Sequence, residues 1–465
     1  MSGTQSTQSS EQAAWVHRAA QTPLPEDVAR FVRDSVRDTV GCIVAGAGEA
    51  ASRSALRLTA GTGDELPARA EDVALLLGTA AHAHDYDDVQ LPTLVHPSCV
   101  IVPTALAAAR ATGDGARLAA AIAAGQETSL RVGTALLTAD GSNSMLFERG
   151  FHPTPVCTTL GAAVTAGVLI DLSADELGHA VGIAASLASG VLEANRTGGT
   201  VKPFHAGWAA ASGIRAAYAA QCGLTAPPTV FEGRFGMLNA FGAPELAARP
   251  LGDPYADGWQ VLSVSTKPYP TNAFTHAPIE LALQLRDQGA RAEELDRLVV
   301  GVARQVLPTI AEPRAAKVRP DTPYHARFSG PMTVALALRG GAGLGLALSD
   351  FPPDLLADET LLALADRVHV EADDWASGRF PEQLIATGTY TDRSGRQLRA
   401  SVETVRGAPQ RPLSEDELRA KFAANVTGPL TDDAVKQLDD LLAGDVGSAA
   451  ADVVAAMFVA FGGGR

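Results

Sequence analysis

The sequence predicts a mainly α-helical protein, with a large all-helical domain formed by both chain ends and a smaller inserted α+β domain, which we call the lid. Hydrophobic residues recur at helical spacing from about residue 25 onward. Short runs of β-branched residues appear after Trp259, and helical spacing returns beyond them. The predicted organisation is a disordered leader at 1–24, helical segments at 25–265 and 408–465, and a lid at 266–407.

The first helical segment begins at Pro25, where two acidic residues precede apolar side chains that recur every three or four positions as far as Gly46. Ser173 and Glu176 have the spacing of a capping box at the start of a later helix. Abundant Ala and Gly would let such helices pack closely. Further helices are predicted over Asp72–His84, Ile101–Ala111, Arg117–Leu136, Val156–Ile170, Ala174–Ser189 and His205–Gln221.

The lid is predicted to contain four strands, the last two joined by a hairpin at Thr391–Gly395. These strands are Leu298–Val302, Arg367–Glu371, Leu384–Tyr390 and Leu398–Val405. Helices are predicted between them over Pro278–Arg286, Met332–Leu338 and Glu359–Asp366, and after them over Ser414–Ala424, Thr431–Leu442 and Ala449–Phe461.

Composition excludes several classes of protein. The chain has 465 residues and a net charge of −15 without a basic stripe, which argues against nucleic acid or an anionic membrane as a partner. The most apolar stretches, Thr159–Ile170 and Gly178–Leu192, are shorter than the roughly 20 residues that span a bilayer. Four widely spaced cysteines indicate reduced thiols. We therefore expect a cytoplasmic protein that binds a small molecule.

Lysine is scarce, with five lysines among 37 basic residues. Lys421 and Lys436 lie on amphipathic patterns and are predicted to be solvated surface charges. Lys202 and Lys267 lie among Gly, Pro and Thr, each near a histidine. These two are predicted to bind carboxylates.

A first cluster of polar residues runs from His82 to Asp88 and is followed by His96. Two histidines and three aspartates within seven residues could bind a metal. However, Tyr86 occupies the position of the aspartate in the HxHxDH pattern of metallohydrolases, and side chains two residues apart at a helix end point to different faces. A hydrogen-bonding cluster that lines a pocket is favoured, and a metal-dependent hydrolase using His82, His84 and His96 is the alternative.

Three further segments combine a cation with a histidine: Arg149–Thr154, Asn195–His205 and Ser265–His276. The sequence contains no P-loop, dinucleotide fingerprint, GxSxG elbow or SxxK motif at these places. Histidines that titrate near neutral pH, together with cations that bind carboxylates, suit the removal of a proton next to a carboxylate.

Several ordered motifs resemble the MmgE/PrpD family, which includes 2-methylcitrate dehydratase, cis-aconitate decarboxylase and iminodisuccinate epimerase. The resemblance extends from about residue 28 to 455. Its motifs include Gly78-Thr-Ala-Ala-His-Ala-His-Asp-Tyr-Asp-Asp88, His96-Pro-Ser98, Gly150-Phe-His-Pro-Thr154, Lys202-Pro-Phe-His-Ala-Gly207 and Lys267-Pro-Tyr-Pro270.

The resemblance implies that the smaller α+β domain acts as a lid on a large helical domain. It also implies a homodimer, a pocket between the two domains, and catalysis without a metal or organic cofactor. Histidine would transfer the proton, an aspartate would orient it, and the lysines would bind the carboxylates of a small-molecule substrate. By motif match the catalytic residues would be Asp85, His96, His152, Lys202 and Lys267, with Arg149, His205, Tyr269 and Asn272 binding the substrate.

Three positions depart from the family pattern. Val89 stands where a threonine is common, and Cys99 follows His96-Pro-Ser98 where dehydratases of the family carry an acidic residue. Asn272 replaces a histidine of the cis-aconitate decarboxylases, which argues against decarboxylation. The prediction is a lyase that dehydrates a hydroxy polycarboxylate. Decarboxylation and epimerisation are the alternatives on the same scaffold, and a catalytically inactive binding protein is an alternative of another class.

Overall fold

The computed structural model describes residues 7–60, 65–194 and 199–462. This part of the chain is mainly α-helical, as predicted, and contains one four-stranded sheet. Its helices of eight or more residues are α1 (Gln8–Gln21), α2 (Glu26–Gly46), α3 (Ala50–Ala60), α4 (Ala70–Ala81), α5 (Ser98–Thr112), α6 (Leu118–Ala135), α7 (Pro153–Leu169), α8 (Ala174–Leu187), α9 (Val201–Gln221), α10 (His276–Asp287), α11 (Gly330–Arg339), α12 (Glu359–Asp366), α13 (Glu415–Val426), α14 (Asp432–Ala443) and α15 (Ala450–Phe458).

Helix α1 occupies residues 8–21 of the predicted disordered leader at 1–24, so the prediction is wrong for this stretch, while residues 1–6 lie outside the described residues. Thr7 caps it by accepting a hydrogen bond from the backbone N–H of Ser10. Trp15, Val16 and Ala19 then share one face at helical spacing and are almost completely buried. The polar first ten residues concealed this apolar face, which starts just beyond them.

The chain divides into two compact units. The helical unit comprises residues 1–83, 87–264 and 425–465, and the second unit comprises residues 84–86 and 265–424. The second unit therefore continues past the predicted boundary at 407 and includes three residues from the first cluster of polar residues. Lys421 helps to explain this difference, because its Nζ donates to the carbonyl oxygen of Tyr86 at 3.0 Å. The prediction that Lys421 is a surface charge is wrong, since its side chain is buried.

Small residues bring the helices of the helical unit together. A Cβ at Gly207 of α9 would lie 2.1 Å from the carbonyl oxygen of Leu75 in α4. A Cβ at Gly161 of α7 would lie 2.2 Å from the carbonyl oxygen of Gly125 in α6. Any larger side chain would push these helices apart, so the predicted role of glycine in close packing is confirmed. Ser173 and Glu176 also form the predicted capping box of α8.

The sheet of the second unit has the strand order β2-β1-β3-β4. Its strands are β1 (Leu295–Val302), β2 (Val368–Ala372), β3 (Ala386–Asp392) and β4 (Gln397–Val402). β1 pairs in parallel with β2 and antiparallel with β3, and β3 and β4 form the predicted hairpin. Helix α10 covers the sheet closely, because a Cβ at Gly388 would lie 2.4 Å from Leu281.

Two helix boundaries differ from the predictions in ways that affect the site. Helix α4 ends at Ala81, so His82 and the residues after it lie in irregular backbone. Helix α9 begins at Val201 and not at His205, so Lys202 lies in its first turn. Pro203 is tolerated there because the first-turn N–H groups have no partner within a helix. Within the described residues, no helix combines the length and apolarity needed to cross a membrane.

Candidate active site

Four histidines of the helical unit lie together, and we call them the histidine cluster: His82, His96, His152 and His205. The ring of His82 lies 4.9 Å from that of His96 and 5.5 Å from that of His152, measured between centroids. The Nδ1 atoms of His152 and His205 are 3.3 Å apart. Of the predicted site residues, the structure thus brings His96, His152 and His205 together, and it adds His82.

A buried carboxylate joins two members of the cluster. Oδ2 of Asp87 lies 2.8 Å from Nδ1 of His82 and 3.1 Å from Nδ1 of His96. Burial alone would raise the pKa of Asp87, but the charges and hydrogen bonds of these two imidazoles hold the pKa well below its ordinary value. Asp87 is therefore ionised at neutral pH, and it accepts a hydrogen bond from either histidine when that Nδ1 is protonated.

Hydrogen bonds of the backbone at and after His96 fix the position of this residue. Its N–H donates to the hydroxyl of Thr154 at 3.1 Å. Two residues further on, Ser98 donates its N–H and hydroxyl to the two carboxylate oxygens of Asp88, at 3.1 and 2.5 Å. Burial raises the pKa of Asp88 to about 7. The adjacent aspartates Asp87 and Asp88 thus serve different purposes, one facing imidazoles and the other holding the start of α5.

His152 occupies the N-cap position of α7 and is held by a segment that follows α8. Its N–H donates to the carbonyl oxygen of Gly190 at 3.0 Å. Gly190 has a φ of +142°, and a Cβ there would lie 2.7 Å from Pro155 and 3.5 Å from Nδ1 of His205. Only glycine leaves room for both histidines at this point.

The environment keeps two members of the cluster neutral. Burial, reinforced by the charges of His82 and Lys202, holds the pKa of His152 well below its ordinary value. The same causes lower the pKa of His205 to about 4. Lys202 is itself buried, and its charge contributes to the lowered pKa of both imidazoles. Neutral imidazoles beside an ammonium group can accept a proton while the cation attracts an anionic substrate.

The loop before Lys202 contained part of a predicted motif, Asn195–His205. Residues 195–198 lie outside the described residues, so the prediction that this loop cradles a carboxylate concerns a segment on which the structure gives no information.

Lys267 and Asp85 form a separate buried pair in the second unit. Nζ of Lys267 lies 3.2 Å from Oδ2 of Asp85 and donates to the carbonyl oxygen of the same residue at 2.6 Å. Asp85 has a φ of +53°, in the left-handed region that few residues other than glycine adopt. His276 lies nearby, and burial together with the charge of Lys267 lowers its pKa to about 3.

Three predicted substrate-binding residues make contacts of a structural kind. Oδ1 of Asn272 accepts a hydrogen bond from the N–H of Phe274 and caps a short 3-10 helix. Arg149 is exposed and donates to the carbonyl oxygens of Phe241 and Gly242, at 3.2 and 2.5 Å. The side chain of Tyr269 is completely buried, and burial raises the pKa of its phenol. Substrate binding by these three residues stays a prediction.

The predicted alternative of a metal bound by His82, His84 and His96 does not match the observed contacts. Nδ1 of His84 lies 2.9 Å from the guanidinium of Arg327, a position unsuited to a metal cation. Among the described residues of the helical unit, a group of metal-binding type does form from His82, Asp87 and His96. Their separations of 2.8 and 3.1 Å are those of hydrogen bonds.

Sequence reasoning missed Asp87 and favoured Asp85 as the residue that orients a histidine. Both belong to the same motif and lie two residues apart in irregular backbone, so no periodicity indicates which side chain faces the imidazoles. The five-residue spacing between His82 and Asp87, around a turn, was the only available signal.

The helices, the small sheet and the histidine cluster define a mainly α-helical protein with a group of adjacent histidines, and comparison with known proteins gives its family. The MmgE/PrpD N-terminal domain matches residues 10–248, and the MmgE/PrpD C-terminal domain matches residues 269–443. The chain belongs to the MmgE/PrpD family.

Curated relatives of the chain are similar over most of their length. A cis-aconitate decarboxylase-like protein, oryM, of Aspergillus oryzae is 24% identical over 92% of this chain and 92% of its own. Cis-aconitate decarboxylase of Homo sapiens is 29% identical over 78% of this chain and 74% of its own. That of Aspergillus terreus is 23% identical over 94% and 92%. Decarboxylases are lyases, so these similarities support the prediction of an enzyme of that class.

Proposed function

We propose that this protein is a lyase that acts on a small polycarboxylate by proton transfer next to a carboxylate, without a metal or organic cofactor. The observation that carries the proposal is the histidine cluster, in which an ionised Asp87 faces two imidazoles while burial and Lys202 keep His152 and His205 neutral. A histidine that faces the carboxylate can donate a proton, and a neutral histidine beside it can accept one.

His96 is the proposed proton donor and His152 the proposed proton acceptor. An ionised carboxylate favours the protonated form of an imidazole that faces it, which suits His96. Desolvation favours the neutral form, which suits His152. Lys202 would bind a substrate carboxylate and stabilise negative charge as it develops. Lys267 and Asp85 remain proposed catalytic residues on the strength of their family motifs.

Decarboxylation of an unsaturated tricarboxylate is the reaction that the relatives favour. In such a step the bond to one carboxylate breaks and CO2 leaves. The electron pair enters the adjacent double-bond system, which then takes a proton at carbon from a histidine. Asn272 remains an argument against this reaction, because it replaces a histidine of the cis-aconitate decarboxylases and its side chain caps a short 3-10 helix.

Dehydration of a hydroxy polycarboxylate is the second candidate. It needs the same acceptor for the carbon-bound proton and the same donor to release hydroxide as water, so the histidine cluster would serve it equally well. Epimerisation would return the proton to the other face of the carbon.

A substrate screen distinguishes these reactions. The purified protein would be incubated with cis-aconitate, 2-methylcitrate, citrate and iminodisuccinate in deuterated water, following CO2 release, alkene absorbance and deuterium uptake. CO2 with one deuterium in the product supports decarboxylation, alkene without CO2 supports dehydration, and deuterium uptake without net conversion supports epimerisation. Absence of all three signals with every substrate would refute the proposal.

Dialysis against a chelator tests the absence of a metal. Full activity after dialysis is expected. Activity that disappears and returns with added Zn²⁺ would contradict the cofactor-free chemistry and favour the metal-dependent alternative.

A further inference from the structure

Lys421 is buried although it lies on a helix far along the chain from the polar motifs. Its Nζ lies 4.0 Å from the centroid of the Tyr86 ring and 3.0 Å from the carbonyl oxygen of the same residue. Burying an ammonium group is costly unless polar partners replace water. A carbonyl oxygen and an aromatic face both attract a cation, so these contacts explain how the charge is tolerated.

Two lysines therefore bind consecutive carbonyl oxygens of one turn. Lys267 donates to the carbonyl of Asp85 at 2.6 Å, and Lys421 donates to that of Tyr86. The hydroxyl of Tyr86 in turn donates to the carbonyl oxygen of Pro268 at 3.1 Å, directly after Lys267. Tyr86 thus connects the two lysines.

The turn needs such support because its backbone is unfavourable. Asp85 has a φ of +53°, and a residue other than glycine in the left-handed region costs on the order of 1 kcal/mol. Helix α4 has already ended at Ala81, so its ladder of hydrogen bonds does not extend to these carbonyl groups.

We propose that Lys421, acting through Tyr86, is a positioning residue that holds the carboxylate of Asp85 in its contact with Lys267. Lys421 touches the backbone of the turn and Tyr86, while Lys267 contacts the Asp85 carboxylate directly. The inference deepens the proposed function and rests on it, because it gives Asp85 and Lys267 a part in catalysis.

The structural half of this inference is tested by Lys421→Met, which keeps the length of the side chain and removes its charge. Amide hydrogen exchange of peptides spanning residues 82–90 should become at least about tenfold faster than in the parent protein, because the turn loses one of its two cationic partners. Lys436→Met is the matched control, since Lys436 is exposed on the next helix. Unchanged exchange in Lys421→Met would overturn the inference, whether or not the protein has the proposed activity.

The catalytic half uses the substrate identified by the screen. Lys421→Met should lower kcat by about tenfold to a hundredfold with less than about a threefold change in KM, because a small displacement of a catalytic group affects the chemical step. Lys421→Arg should recover part of the loss, since guanidinium also donates to a carbonyl and stacks on an aromatic ring. Faster exchange with an unchanged kcat would overturn the positioning role and leave a structural one.

Tyr86→Phe provides a second route if Lys421→Met does not fold. It keeps the aromatic face for Lys421 and removes only the hydrogen bond to Pro268. In Tyr86→Phe we expect a smaller loss of kcat than in Lys421→Met. The rate of amide hydrogen exchange in the turn should lie between the rates of Lys421→Arg and the parent protein. Equal kcat and exchange in the parent, Lys421→Arg and Tyr86→Phe would contradict the inference.

Discussion

In the helical unit four histidines lie together and two of them face one ionised carboxylate, whereas in the second unit two lysines hold a turn through its carbonyl oxygens. The first arrangement contains imidazoles, which can accept or donate a proton during a reaction. The second contains lysine ammonium groups that hold backbone carbonyl oxygens in place. The comparison separates residues expected to transfer protons from residues expected to position other groups. Substitutions of the two kinds should therefore have different effects on activity and stability.

The largest effect is expected for His152→Gln, which removes the proposed proton acceptor and keeps a polar side chain of similar size. Turnover should fall by about a thousandfold, within the range for loss of general acid–base catalysis. His17→Gln, on α1, is the control and should retain full activity. Steady-state kinetics checks this, with circular dichroism to show that the fold persists. Activity above a tenth of the parent value would remove His152 from the mechanism.

Lys202→Met should lower kcat/KM by about a hundredfold, because the substrate loses a cationic partner that is mostly shielded from water. The pH profile should also change. The charge of Lys202 contributes to the low pKa of His152 and His205, so its removal raises both pKa values. Activity that needs neutral imidazole is lost as pH falls through these values, so the acid limb should move to higher pH. An unshifted limb would separate Lys202 from the histidines.

The adjacent aspartates should respond oppositely to pH. The lowered pKa of Asp87 means that its stabilisation is present above the unfolded-state pKa, near 4, and is lost as pH falls below it. Asp87→Asn should therefore cost about 3 kcal/mol at pH 7 and progressively less towards pH 3. Urea unfolding at several pH values measures both quantities.

Asp88→Asn provides the contrast. The pKa of Asp88 is raised to about 7, so its ionisation destabilises the folded protein as pH rises from about 4 to 7. The cost of Asp88→Asn should therefore shrink between about pH 4 and 7. Parallel pH dependence in the two variants would show that their environments are alike.

The smallest effect is expected for Gly190→Ala, which tests the packing around His152 and not its chemistry. A Cβ would lie 2.7 Å from Pro155, and alanine is strained at a φ of +142°. We expect a loss of about 1–3 kcal/mol and about a tenfold fall in kcat. Gly178→Ala is the control, since nothing lies within 4 Å of a Cβ there. It should be neutral or slightly stabilising.

The sequence predicted most helices and all four strands to within a few residues, because their patterns are local. It also placed His96, His152 and His205 in candidate motifs, and the structure brings these three histidines together. It did not identify Lys421, because burial of that side chain depends on Tyr86, 335 residues away in the chain. An amphipathic pattern indicates which face of a helix is polar, but it does not indicate that a polar side chain will meet a carbonyl group.

The local sequence pattern also could not predict that Asp85 and Asp87 contact different partners. The two side chains leave the same irregular stretch, where direction is set by each φ and ψ angle and not by a repeat. Asp85 has a left-handed backbone conformation. Its carboxylate lies beside Lys267, whereas the carboxylate of Asp87, two residues later, lies beside His82 and His96. A motif shared by a family records that both carboxylates are present without distinguishing their partners.

Residues 84–86 belong to the second unit although the chain on both sides of them belongs to the helical unit. Excision of residues 265–424 as a separate fragment would therefore leave residues 84–86 behind. Lys267 and Lys421 would lose their carbonyl acceptors, and each ammonium group would need water or another polar partner in their place. Any effort to express, crystallise or recombine the second unit by itself should carry the Asp85–Tyr86 turn with it, as a grafted loop or an added peptide.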